Sequence, residues 1–177
     1  RIPTGPLQAG VVFAERALAL AGDGPAAAVS PDPGGVKRAQ LFRELLEARG
    51  GRRFGAGYME KRRSGGVVSG SLLAGEVAGA TVFLIDDLVS TGGTLQRAAQ
   101  TCLQQGAQRV YAFAAHGLFN AGADAALSNG AIERLFVTDA VPPFRLGEAA
   151  RARVEVVSAA PLFAAAIRRL APASTER

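Results

Sequence analysis

Short unbroken apolar runs alternate along the chain with longer stretches in which apolar residues recur every third or fourth position. Runs of the first kind, rich in β-branched and aromatic residues, suit parallel strands buried on both faces. The second kind is one face of an amphipathic helix. Strands are therefore expected over residues 26–29, 54–59, 81–85, 109–115, 132–137 and 154–157. Helices are expected over 7–20 (ending near Gly22), 36–48, 95–103, 121–127 and 160–170. This alternation predicts an α/β domain, a mainly parallel sheet with helices on both faces. Residues 1–6 read as a linker and 171–177 as a frayed tail, so the whole chain forms one domain.

The stretch 81–94, TVFLIDDLVSTGGT, carries the clearest chemistry. Asp86 and Asp87 follow an apolar strand at its carboxyl end, where open α/β sheets place ligands. Ser90, Thr91, Gly92, Gly93 and Thr94 then lead into a helix whose apolar face is Leu95, Ala98, Ala99, Cys102 and Leu103. Backbone N–H groups of a Gly-rich turn, hydroxyls and a helix dipole together make a phosphate cradle. Two carboxylates before such a cradle suit a sugar phosphate, with hydroxyls or Mg²⁺ on the acids.

Two further loops carry candidates. Ser30-Pro31-Asp32-Pro33-Gly34-Gly35 leaves the first strand with an acid and two glycines that let backbone amides approach an anion, although a plain turn accounts for these residues equally well. Glu60-Lys61-Arg62-Arg63-Ser64-Gly65-Gly66 leaves the second strand as a charge run, which in most proteins is simply a solvated face. Here Gly- and Ser-rich sequence follows up to Gly75, so the run is expected to be a mobile loop able to close over a phosphorylated substrate. His116, the only histidine, ends a strand and reads as a structural residue.

Composition narrows the field. At 177 residues and 49% hydrophobic the chain can bury a real core, and no apolar run reaches the ~18 residues of a membrane span. Cys102 is the single cysteine; its place on a helical apolar face makes it a packing residue, and a reducing, cytoplasmic setting fits. The net charge is +5, but the arginines are scattered and two tyrosines with no tryptophan leave little for base stacking. The basicity therefore points to small polyanions rather than nucleic acid.

IDDLVSTGGT resembles the phosphoribosyl diphosphate (PRPP) loop shared by type I phosphoribosyltransferases and ribose-phosphate pyrophosphokinases. VSPDPGGVKRA resembles the diphosphate-loop segment of the pyrophosphokinases, and EKRRSGG their flexible catalytic loop. YAFAAHGLF, LFVTDAVPP and VVSAAPLFAAAIRRL are similar to the stretches that follow in those enzymes. The likeness to ribose-phosphate pyrophosphokinase runs from about residue 1 to residue 170, in order and spacing.

This resemblance implies a type I phosphoribosyltransferase-like fold. It also implies transfer of the diphosphoryl group of ATP to ribose 5-phosphate, giving PRPP and AMP, in a homo-oligomer that uses Mg²⁺. It assigns the 5-phosphate to Ser90, Thr91, Gly92, Gly93 and Thr94, and the ribose hydroxyls to Asp86 and Asp87, directly or through Mg²⁺. Asp32 would hold Mg²⁺, Gly34 and Gly35 would admit the diphosphate, and Lys61 and Arg63 would neutralise charge on the transferred group. Ser90 departs from the acid that many members carry in the loop. Only the carboxyl-terminal half of such an enzyme is represented, so little synthetase activity is expected of the chain alone. A stand-alone phosphoribosyltransferase and a non-catalytic regulatory homologue remain as alternatives.

Overall fold

The computed structural model describes residues 7–64 and 67–170, and for residues 61–64 and 67–71 the backbone alone. In chain order the elements are α1 (Gly10–Ala21), β1 (Ala26–Ser30), a 3-10 turn (Pro33–Gly35), α2 (Val36–Gly50), β2 (Gly55–Ser64), β3 (Val67–Gly75) and β4 (Thr81–Val89). There follow α3 (Gly93–Gln104), β5 (Arg109–Gly117), α4 (Ala123–Ser128), β6 (Arg134–Thr138), α5 (Glu148–Arg151), β7 (Val154–Val157) and α6 (Ala160–Leu170). The strands form one seven-stranded sheet in the order β3-β2-β1-β4-β5-β6-β7. All neighbours are parallel except β2 and β3. The α/β reading of the sequence holds.

Side-chain alternation divides the core between the two faces of the sheet. Ala27, Val29, Val82, Leu84, Ala112, Ala114, Leu135 and Val137 pack on one side with Leu95, Ala98, Ala99 and Cys102 of α3. Ala26, Ala28, Phe83, Ile85, Tyr111, Phe113 and Phe136 pack on the other with Phe13 of α1 and Phe42 of α2. That second face is aromatic. The Phe113 ring lies 4.7 Å from Phe136 in a stacked pair, 5.4 Å from Phe13, 5.6 Å from Phe42 and 5.7 Å edge-on to Phe83. Cys102 is fully buried, and burial pushes its thiol up to about 12, as suits a packing residue.

Three differences from the expected elements bear on the site. First, β4 does not stop at Ile85 but continues through both acids to Val89, because β5 extends beside it and pairs Asp86 with Ala114 and Leu88 with His116. Second, Glu60 to Ser64 is strand rather than loop, and Gly65 and Gly66 lie outside the described residues. β2 continues to Ser64 and turns back as β3 in an antiparallel hairpin, with an irregularity between Arg62 and Arg63. Pairing of β1 with β2 ends at Ser30–Tyr58, so the hairpin projects beyond the sheet as a two-stranded arm. Third, a four-residue helix, α5, buries Ala150 where the sequence shows no helical period. Among the described residues no helix is long and apolar enough to cross a membrane.

Candidate functional site

The strand order locates the site before any side chain is considered. From β1 the chain crosses through α2 to β2 on one side, and from β4 it crosses through α3 to β5 on the other. β1 and β4 are neighbours, so their carboxyl ends flank the point where the winding direction reverses. Such a crevice is where open α/β sheets bind ligands. Two of the three loops singled out in the sequence open there.

On the β4 side, the acids differ sharply in exposure: the side chain of Asp86 is 14% exposed and that of Asp87 64%. Asp86 Oδ1 accepts the backbone N–H of Asp87 at 2.8 Å. Arg38, from the first turn of α2, forks across both, with Nη1 donating to Asp86 Oδ1 at 3.1 Å and Nη2 to Asp87 Oδ2 at 2.6 Å. Burial pushes the Asp86 carboxyl up to about 6, helped by the neighbouring Asp87 charge and opposed by the Asp87 N–H and by Arg38.

Because that value lies above the ordinary 3.8, the native state holds a proton at Asp86 that the unfolded chain has released. The favourable contribution is complete below about pH 4 and is lost as pH rises through about 6. An ionised Asp86 at neutral pH then costs roughly 1–2 kcal/mol, after discounting for solvent around Asp87 and Arg38. Asp86→Asn is accordingly expected to melt above the wild-type protein at pH 7.5, with the gap closing on acidification and absent by about pH 4. A gap independent of pH in a thermal melt series would contradict this.

On the β1 side, Ser30 is buried and its hydroxyl donates to the Asp32 carbonyl at 2.6 Å. Asp32 Oδ1 accepts the Gly35 N–H at 3.0 Å and so caps the 3-10 turn, leaving Oδ2 for a ligand. The two glycines of this loop are not equivalent. A Cβ on Gly35 would lie 2.5 Å from Ser30 Oγ and 3.0 Å from Arg38 Nη1, whereas one on Gly34 would meet only Asp32 Oδ1 at 3.3 Å. Gly35 is therefore required by packing, and Gly34 is the exposed member of the pair.

Between the two sides, Asp32, Asp86, Asp87, Ser90, Thr91 and Thr94 line a hollow of about 230 Å³ that includes Gly92 and Gly93. Gly92 begins α3 in the left-handed conformation, φ 75°, and a Cβ there would also press Ala126 Cβ at 3.2 Å. No side chain caps this helix, so its first-turn N–H groups and dipole face the hollow. Asn120 holds Ser90 twice, Nδ2 donating to Oγ at 2.9 Å and the backbone N–H to the Ser90 carbonyl at 2.9 Å. Arg97 Nη2 reaches back to Thr94 Oγ1 at 3.4 Å, which sets a cation beside the cradle.

The crevice thus unites Asp32, Gly34, Gly35, Asp86, Asp87 and Ser90 through Thr94. Lys61 and Arg63 lie on the backbone of the β2 arm, but their side chains fall outside the described residues. His116 is exposed and, with Arg38, Asp86 and Asp87, rims a second, larger hollow of about 500 Å³ floored by Phe13, Phe42 and Phe113. Arg38 and Arg97 were missed in the sequence. Their only signal is helical phase: three or four residues past a Gly-rich turn, a first-turn side chain leans back toward that turn.

Among the described residues no three His, Cys, Asp or Glu side chains cluster into a ready-made metal centre. Mg²⁺ is commonly held by one or two carboxylates, with water and substrate phosphates completing the shell. Asp86, Asp87 and Asp32 supply hard oxygens of the required kind on one hollow.

The chain is similar over most of its length to known proteins. A ribose-phosphate pyrophosphokinase of Mycoplasma pneumoniae is 35% identical over 167 residues, 92% of this chain and 48% of that protein. One of Aquifex aeolicus is 39% identical over 143 residues, 80% of this chain and 43% of the relative. The crystal structure of phosphoribosylpyrophosphate synthetase from Mycobacterium smegmatis superposes with a TM-score of 0.74 at 27% identity, covering 92% of this chain and 50% of that one. The chain spans about half the length of the curated relatives it matches. The model of the phosphoribosyl synthetase-associated domain matches residues 70–175, from β3 through the acid pair, the cradle and α6. With more than half of its length inside that match, the chain belongs to the phosphoribosyl synthetase-associated domain family.

Proposed function

We propose that this chain is the sugar-phosphate-binding half of a ribose-phosphate diphosphokinase, which transfers the diphosphoryl group of ATP to ribose 5-phosphate. The observation that carries this reading is the adjacency of an acid pair and an uncapped helix N-terminus on one strand–turn–helix, within a single hollow at the β1–β4 crevice. The cradle from Ser90 to Thr94 takes the 5-phosphate on backbone N–H groups, hydroxyls and the dipole of α3. Asp86 and Asp87 take the ribose hydroxyls directly or through Mg²⁺, with Asp32 as a further metal ligand. Bound there, Mg²⁺ would screen the phosphate charges.

In the reaction, the anomeric hydroxyl oxygen of ribose 5-phosphate forms a bond to the β-phosphorus of ATP. The bond from that phosphorus to the oxygen shared with the α-phosphate breaks, AMP leaves, and the hydroxyl proton is released. The chain contributes position and charge: the cradle and acids fix the sugar, the Asp32–Gly35 turn receives the diphosphate, and Lys61 and Arg63 offset charge on the moving group. ATP is the second substrate. The adenine site lies on the other half of the enzyme and is completed across subunits of a homo-oligomer. We place the domain in the cytoplasm, where a lone cysteine stays reduced.

The test is the double variant Asp86→Asn/Asp87→Asn, followed by a ribose 5-phosphate titration and a thermal melt on the same sample. Affinity is expected to fall at least about tenfold, or ~1.4 kcal/mol, with the melt unchanged or raised at pH 7.5. A collapsed melt with unchanged affinity would make the pair structural.

A further inference from the structure

Arg38 lies where the two loops of the crevice meet. One guanidinium holds Asp86 at 3.1 Å and Asp87 at 2.6 Å, and the same Nη1 packs over Gly35, whose lack of a Cβ leaves it room. The Arg38 side chain is only 35% exposed, so this is a seated group rather than a passing surface contact. Two adjacent carboxylates with Asp86 largely buried repel each other, and a fork that touches both offsets that repulsion in the ligand-free domain. A divalent cation offsets it too, at the same oxygens. The two cations cannot share those lone pairs at full strength.

Resting on the proposed function, we infer that Arg38 is the resident counter-cation of the Asp86–Asp87 pair. As a positioning residue it is displaced when a divalent cation loads the site, and so it sets the cation concentration at which the site fills. Once displaced, the guanidinium still lies against the Asp32–Gly35 turn, where its planar donors can meet phosphate oxygens. A compact lysine at this position could hold one carboxylate but not span both.

The experiment titrates Mn²⁺ alone into the 177-residue chain by calorimetry, for wild type, Arg38→Gln and Arg38→Lys, with thermal melts of each. Arg38→Gln is expected to bind Mn²⁺ about tenfold more tightly than wild type, and Arg38→Lys to fall between the two. In the Asp86→Asn/Asp87→Asn background, Arg38→Gln is expected to change nothing. A purely structural arginine would lower the melt and leave Mn²⁺ affinity untouched; equal or weaker Mn²⁺ binding by a folded Arg38→Gln overturns the inference. Should Arg38→Gln fail to fold, Arg38→Lys decides by the same comparison. Ribose 5-phosphate binding to wild type is scored separately: if it persists while Mn²⁺ affinity ignores residue 38, the inference falls and the proposed function stands.

Discussion

Replacing Lys61 or Arg63 by alanine in a full-length diphosphokinase carrying this domain is expected to cut turnover by ~10²–10³, with Michaelis constants little changed. The backbone places both on the β2 arm. β2 loses its β1 partner after Tyr58, and from there to Ser64 it is paired only with β3, broken by an irregularity at Arg62–Arg63. A two-stranded ribbon is marginally stable on its own, so ordering this arm for the reaction costs entropy. Its cations are then best engaged when closure and charge redistribution coincide, in the transition state rather than in the ground-state complex. In the proposed function the strand ends, with Asp86, Asp87 and the α3 cradle, supply the ground-state binding. Arg63→Lys should also be impaired, because an ammonium cannot reproduce the planar fork on phosphate oxygens. A solvated charge run predicts changes within about 0.5 kcal/mol for each substitution. Steady-state kinetics separate the two: a raised Michaelis constant at constant turnover would sink the assignment.

Phe113→Ala is expected to be the most damaging single change to the fold, at about 3–5 kcal/mol. Phe113 is 1% exposed at the centre of the aromatic face and touches rings from β4, β6, α1 and α2. Each well-oriented ring pair adds about 0.5–1.5 kcal/mol beyond area burial, so four lost pairs add to the cavity cost. Phe113 also pairs in register with Ile85, the residue before Asp86, so the damage lies directly under the acids. At ~2–4 °C per kcal/mol for a domain of this size, the melting midpoint should fall by about 10 °C or more. Leu103→Ala, on the exposed side of α3 at 38%, should stay within about 0.5 kcal/mol. Equal shifts for the two in a urea or thermal melt would show that the aromatic layer does not organise the sheet.

Local rhythm and loop chemistry made much of this molecule legible. The 3.6-residue period of Leu95, Ala98, Ala99 and Cys102 marks α3, and the apolar run 81–85 marks β4. The two carboxylates before Ser90 to Thr94 marked the crevice. What escaped depends on neighbours distant in sequence. β4 runs on through its acids because β5 lies alongside, and β3 forms from a Gly- and Ser-rich stretch because β2 offers an antiparallel edge, neither of which needs an apolar signature. The reversal of winding between β1 and β4 exists only in the strand order. Arg38 looked like one arginine among many, since its role requires that residues 48 and 49 positions along the chain meet it. Asp32, which the family resemblance makes a metal ligand, also caps the turn at Gly35 through Oδ1, a local bond that its spacing allows but does not announce.

In the proposed function one hollow recognises the two parts of ribose 5-phosphate jointly, phosphate on the α3 cradle and sugar on the acid pair. Calorimetry of the 177-residue chain in Mg²⁺ buffer with ribose 5-phosphate, ribose and inorganic phosphate in parallel tests it directly. One-to-one binding of ribose 5-phosphate is expected, at least about tenfold tighter than either part alone and lost in Asp86→Asn/Asp87→Asn. Binding of ribose 5-phosphate no tighter than that of inorganic phosphate, and indifferent to the acid pair, would contradict it.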